Sequence, residues 1–196
     1  MKLYYAPGAC SLADHIALIE SELPFDTEKV DLKGKTTEGG SDYIKINPKG
    51  YVPALALEDG GILTENIAIL SYIGDRSVKL MPSDDLARYR GLEALAYIST
   101  ELHKGFKPFF TPNASAQDKS AAGEALLKRF ALLGQQLEDR DYLLGEFSVA
   151  DCYLFVMLMW AKTKVGLDVG GSLARYYDRL SQRPSVRQAL ADEGLA

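Results

Sequence analysis

The sequence predicts two fold classes in one chain, an α/β part followed by an all-α part. Three features carry that expectation. Short apolar runs of strand length alternate with turn residues up to Asp75; segments with helical spacing take over from Pro82 onward; and a polar stretch over residues 76–85 separates the two. Domains are therefore expected over residues 1–77 and 84–196.

The elements follow in order. Leu3-Tyr4-Tyr5 reads as a strand, broken by Ala6-Pro7-Gly8-Ala9. Leu12, Ile16 and Ile19 share one helical face, and Pro24 closes that helix. Residues 25–32 read as a second strand that runs into the polar stretch 33–41, and a short helix is expected at 42–46. After the turn Asn47-Pro48-Lys49-Gly50, residues 52–57 form a strand with Pro53 at its start, because proline cannot donate to a ladder. Glu58-Asp59-Gly60-Gly61 then makes a hairpin turn into Ile62-Leu63-Thr64, followed by a helix over 65–75. The order βαβ, then ββα, implies a sheet of about four strands. Farther on, helices are expected over 86–107, 116–137, 173–182 and 185–191. Between them Ser148-Val149-Ala150-Asp151 is a variant capping box, with structural roles for Ser148 and Asp151, opening an apolar helix through Trp160.

Composition narrows the function. The 196 residues are 47% hydrophobic, enough for a substantial core, and 22 basic side chains against 27 acidic ones give a net charge of -5. That balance argues against a general nucleic-acid surface. The longest apolar run, 152–161, is short of the ~18–20 residues that a membrane span needs, so no membrane partner is expected. The N-terminal residues lead into polar, Gly/Pro-rich sequence, so no signal peptide is expected and a reducing cytoplasm is the default location. No metal is expected: Cys10 and Cys152 match no zinc spacing, and neither a phosphate loop, a dinucleotide fingerprint nor a nucleophile-elbow serine is present.

The two thiols read differently. Cys10 stands where the first strand turns into the first helix, and helix N-termini can stabilise a thiolate; the alternative is a small apolar residue under the turn. With no second cysteine nearby, any partner thiol must come from a ligand. Cys152, in the apolar helix, reads as core. His15 reads as a surface polar or packing residue, and His103, on local features alone, as structural. The Val52-Pro53 bond is a candidate cis peptide that turns backbone groups outward toward an extended ligand, or else a rigid turn. Thr64-Glu65-Asn66 either caps its helix or binds the charged end of a ligand.

Taken together, several segments resemble the bacterial beta class of the glutathione transferase family. They include Pro7-Gly8-Ala9-Cys10-Ser11, Asn47-Pro48-Lys49-Gly50-Tyr51-Val52-Pro53, Leu63-Thr64-Glu65-Asn66, Glu101-Leu102-His103-Lys104-Gly105-Phe106, Phe147-Ser148-Val149-Ala150-Asp151 and the closing Glu193-Gly194-Leu195. The resemblance implies a thioredoxin-like N-terminal domain, an all-helical C-terminal domain and a homodimer. It implies glutathione as co-substrate, conjugated to a small electrophile. Cys10 and His103 are the implied catalytic residues, with Cys10 against the glutathione sulfur. Val52, beside a cis Pro53, would pair with its cysteinyl backbone, Glu65 and Asn66 would hold its γ-glutamyl end and Lys35 its glycyl carboxylate. Thr100 and Lys104 complete the implied glutathione contacts. Phe106, Phe109, Phe110 and Trp160 are candidates for the wall of a second-substrate pocket. Some beta-class members carry an Asn that reaches glutathione in the neighbouring subunit, where this chain has Ala96, a difference expected to weaken binding. Two other readings stand beside conjugation: thiol-disulfide transferase or peroxidase chemistry through a Cys10-glutathione mixed disulfide, and a non-enzymatic carrier.

Overall fold

The computed structural model describes residues 1–77 and 79–196 of the chain. Five strands form one mixed sheet in the order β3-β2-β1-β4-β5. They are β1 Lys2–Tyr5, β2 Asp26–Asp31, β3 Thr36–Thr37, β4 Ala54–Ala56 and β5 Ile62–Thr64. The helix α1, Leu12–Ser21, makes the crossover between the parallel pair β1 and β2, in register Leu3 to Thr27. Strand β4 lies antiparallel on the other side of β1, Leu3 opposite Leu55, and hairpins into β5. This is a thioredoxin-like layer. It has one strand more than expected: β3 lies within the polar stretch 33–41, and two residues paired to Val30 and Asp31 are too short to leave a period in sequence.

The pleat sends alternate residues to opposite faces. Leu3, Tyr5 and Leu55 join the main core with α1 and α3, Asn66–Arg76, whereas Tyr4, Val30 and Ala54 pack around the buried Tyr43 of α2, Tyr43–Ile46. A second, helical part follows. Helix α4, Asp85–Tyr97, continues through a wide turn at Ile98–His103 and a tight one at Lys104–Phe106 into α5, Lys107–Phe110. Then come α6 Ala116–Gln136, α7 Val149–Trp160 with a wide turn at Ala161–Val165, α8 Gly171–Ser181 and α9 Pro184–Asp192. The expected single helix over 86–107 thus changes winding at 98. Such widened turns gather at functional sites.

Every residue of α7 is buried, and this all-round apolar helix packs against α1, α3, α4 and α8. At its start the Asp151 carboxylate accepts from the Ser148 amide at 2.9 Å and the Ser148 hydroxyl at 2.7 Å. It also accepts from the Leu143 amide and the Tyr176 hydroxyl, so a buried charge is fully bonded. One apolar core runs through both parts of the chain. The stretch 76–85 is no simple polar connector: Arg76 ends α3, Asp85 begins α4, and Leu80 and Met81 are buried, with the Leu80 carbonyl accepting from the Val149 amide. Val78, in the middle of it, lies outside the described residues.

Candidate active site

Cys10 lies in the turn between β1 and α1, where Ser11 returns its hydroxyl to the Ala6 backbone. Its thiol donates to the Val52 carbonyl at 3.5 Å and is 9% exposed. Val52 is itself buried, and the Val52-Pro53 bond is cis. The expected thiolate is not what this geometry favours. The amides of Cys10 and Ser11 pull the thiol pKa down, but burial outweighs them and pushes it up to about 12. The helix end is present; desolvation wins over it.

Glu65, ahead of α3, has φ 75 and makes no capping bond. A non-glycine residue in that region stores strain of about 1–3 kcal/mol and is a pointer to a site rather than to a cap. Its carboxylate accepts from the Tyr51 hydroxyl at 2.7 Å and pairs with Lys49, and Lys49 first, then Tyr51, holds it below the ordinary carboxylate range. Asn66 is 7% exposed and turns its side chain inward, donating to the Cys10 carbonyl and to Asp14. That leaves its side-chain amide engaged with the interior. Lys35 reaches the Gly50 carbonyl at 2.7 Å, beside the same loop.

The helical part faces this loop with the segment that changes winding. His103 Nδ1 lies 2.6 Å from the Tyr153 hydroxyl, and its ring packs edge-on against Trp160 at 5.1 Å. Burial, then Lys104, lowers its pKa to about 4, so His103 is neutral at pH 7. Trp160, on which His103 packs, reaches the Gly8 carbonyl at 2.8 Å, and the Lys104 ammonium acts on Glu65. The two halves therefore meet at one place. Thr100 stands apart from this cluster: it is exposed and gives its hydroxyl to the Ala96 carbonyl.

The aromatic candidates divide. Phe106 is fully buried and Trp160 nearly so, while Phe110 is 50% exposed and packs on Trp160 at 4.9 Å. Trp160 also donates its indole N–H to the Gly8 carbonyl. Gly8 is held from the other side, where its amide donates to Glu193 at 2.9 Å. Glu193 in turn meets Nδ1 of His15, which is 1% exposed; of its two expected roles, packing is the one realised. Cys152 is fully buried, as read from sequence. Sequence reasoning assigned no role to Lys49, Tyr51, Tyr153 or Glu193. Three of these lay inside quoted motifs, but their partners are 14, 16 and 178 residues away.

Among the described residues no group of three or more His, Cys, Asp or Glu is arranged to hold a metal ion, and no helix is long and apolar enough to cross a membrane. A hollow of about 990 Å³ lies elsewhere, between α4 and α6, lined by Arg90, Tyr97, Leu132 and Leu133 among others.

A thioredoxin-like sheet with a cysteine-bearing turn beside a cis-proline loop, covered by a helical domain, defines a class of two-part thiol-handling proteins. Known proteins specify it further. Models of the glutathione S-transferase N-terminal and C-terminal domains match residues 9–76 and 97–184. The chain is 44% identical over 200 residues to glutathione S-transferase GstA of Escherichia coli O157:H7, with 100% of each chain covered. It superposes on a sphingomonad glutathione S-transferase complexed with glutathione at a TM-score of 0.94, with 46% identity over 100% of both chains. It also superposes on the bacterial beta class glutathione S-transferase of Sphingomonas chungbukensis at 0.93, again with 46% identity over 100% of both. The chain belongs to the glutathione S-transferase family, with beta-class bacterial enzymes among its structural neighbours.

Proposed function

We propose that the protein conjugates the glutathione thiolate to electrophilic, largely apolar small molecules. The observation that carries this reading is the meeting of Cys10, Val52 and Glu65 from the sheet half with His103, Lys104 and Tyr153 from the helical half. Val52 pairs its backbone with the cysteinyl part of glutathione, beside the cis proline. Glu65 takes the γ-glutamyl ammonium, and Asn66 contributes through the backbone at the start of α3, its side chain being engaged inside. Lys35 takes the glycyl carboxylate. Cys10 donates a hydrogen bond to the sulfur, as it now does to Val52, and so favours the thiolate of the ligand over its thiol. Neutral His103, fixed by Tyr153, borders the sulfur from the helical side. Phe110, half exposed and packed on the buried Trp160, offers apolar surface on which the electrophile is held near that sulfur.

Glutathione is a co-substrate in this reading, and no metal is needed. Burial of Cys10 and its raised pKa weigh against a resting thiolate that attacks disulfides directly. A homodimer belongs to the same proposal. Leu86, Tyr89, Leu127 and Leu132 stand exposed on α4 and α6, Leu132 lining the hollow between these helices, and Thr100 is exposed on the same helix run as α4. A cytoplasmic location fits two unpaired thiols.

The test is capture on immobilised glutathione, then turnover across a panel of electrophiles and disulfides for wild type, Cys10→Ala and His103→Ala. Conjugation should survive in Cys10→Ala at reduced rate and fall in His103→Ala. Conjugation lost together with disulfide exchange in Cys10→Ala would make Cys10 the nucleophile. Binding without turnover on any panel member would leave a carrier.

A further inference from the structure

A wholly buried acid lies beneath the Cys10 turn. Asp14 follows Cys10 by one helical turn in α1. Its Oδ2 accepts from the Asn66 side-chain amide at 2.9 Å, and the same nitrogen donates to the Cys10 carbonyl at 2.9 Å. One amide thus ties the acid to the cysteine. The other oxygen, Oδ1, has no hydrogen-bond partner among the described residues. Nor does Asp14 enter any of the ion pairs found among them.

The titratable groups around it are nearly all acids. They are Cys10 in the turn ahead of its helix, Cys152 and Tyr153 on α7, and Glu193 in the C-terminal segment. His15, the next residue, turns to Glu193 instead. A carboxylate with one hydrogen bond and no cation in an apolar interior is far less stable than the neutral acid. Burial accordingly pushes the Asp14 carboxyl well above its ordinary range.

We propose that Asp14 is a positioning residue for the candidate site: bridged to the turn through Asn66, it keeps Cys10 a protonated, hydrogen-bond-donating thiol and withholds it as a nucleophile. Two neighbouring acids cannot both ionise freely in one buried place. On this proposal Asp14, a carboxyl, gives up its proton before the thiol does, and Cys10 must then ionise beside a buried negative charge. The thiolate that reacts is then the one carried by the ligand, and conjugation is favoured over mixed-disulfide chemistry. The proposal rests on the reading of Cys10 as a donor to the glutathione sulfur.

Alkylation of Cys10 by iodoacetamide, followed against pH without glutathione and assigned by peptide mass, tests it. Asp14→Asn and Asp14→Ala should each move the alkylation midpoint down by about one pH unit, making the reaction about tenfold faster near pH 8. A purely structural role for Asp14 changes stability and leaves that midpoint in place, so folded variants with the wild-type profile overturn the proposal. A wild-type measurement stands independent of how the variants fold. The carboxyl carbon resonance of Asp14 should titrate above those of the exposed carboxylates, and titration among them overturns the proposal too. Neither readout involves glutathione, so failure to bind immobilised glutathione remains a separate result.

Discussion

The indole nitrogen of Trp160, at the end of the buried helix α7, donates a 2.8 Å hydrogen bond to the carbonyl of Gly8, two residues before Cys10 in the chain. The helical domain thereby holds the cysteine-bearing turn of the sheet domain directly. Trp160→Phe keeps an aromatic ring edge-on to His103 and Phe110 but removes the donor. A loss of about 1–2 kcal/mol in stability is expected, read by urea denaturation. A higher KM for glutathione should accompany it.

Glu193 holds the other side of Gly8 and also meets His15, all three being buried or nearly so. Glu193→Ala strands an amide and an imidazole. Destabilisation by about 1–3 kcal/mol is the expected outcome of leaving these buried groups without their partner. Denaturation midpoints for the variant and wild type decide it, and a change under about 1 kcal/mol would show that the C-terminal segment contributes little to the turn.

His103 makes stability pH-dependent. Its folded-state pKa is about 4 against an ordinary value of 6.5, so between those limits the unfolded chain binds more protons than the folded one. The neutral form is the stable one. Its contribution is complete above about pH 6.5 and is lost as pH falls toward 4, with a full extent of up to about 3 kcal/mol. His103→Gln should flatten stability across that window relative to wild type, measured by denaturation at a series of pH values.

Ala96 lies exposed on α4. Ala96→Asn should lower the KM for glutathione if a second subunit brings its glutathione within reach of this position. Size-exclusion chromatography alongside the kinetics separates the cases. A dimer with unchanged KM would place position 96 away from the ligand.

Much of the molecule could be read locally. The strands at Leu3 and Ile62, the Gly60-Gly61 hairpin turn and the Ser148–Asp151 cap depend on residues within a few positions of one another. The cis bond at Val52-Pro53 and the inert burial of Cys152 were legible for the same reason. The site was legible in part. Cys10 announced itself by standing where a strand turns into a helix, but its protonation did not, because neighbouring sequence reveals the helix end and not the depth of burial. His103 looked structural until its segment was compared with a family. Its partner Tyr153 is 50 residues away, and nothing in the local pattern joins them.

Periodicity and turn chemistry were thus sufficient for the order βαβ-ββα, the two-residue β3 aside, and for the all-helical remainder, since both are short-range properties of the backbone. Tertiary packing alone decided that Asp14 is buried, that Lys49 neutralises Glu65, and that Trp160 and Glu193 grip Gly8 from opposite sides. Those outcomes depend on solvent exclusion or on distances between residues remote in sequence, and both exist only once the chain has folded.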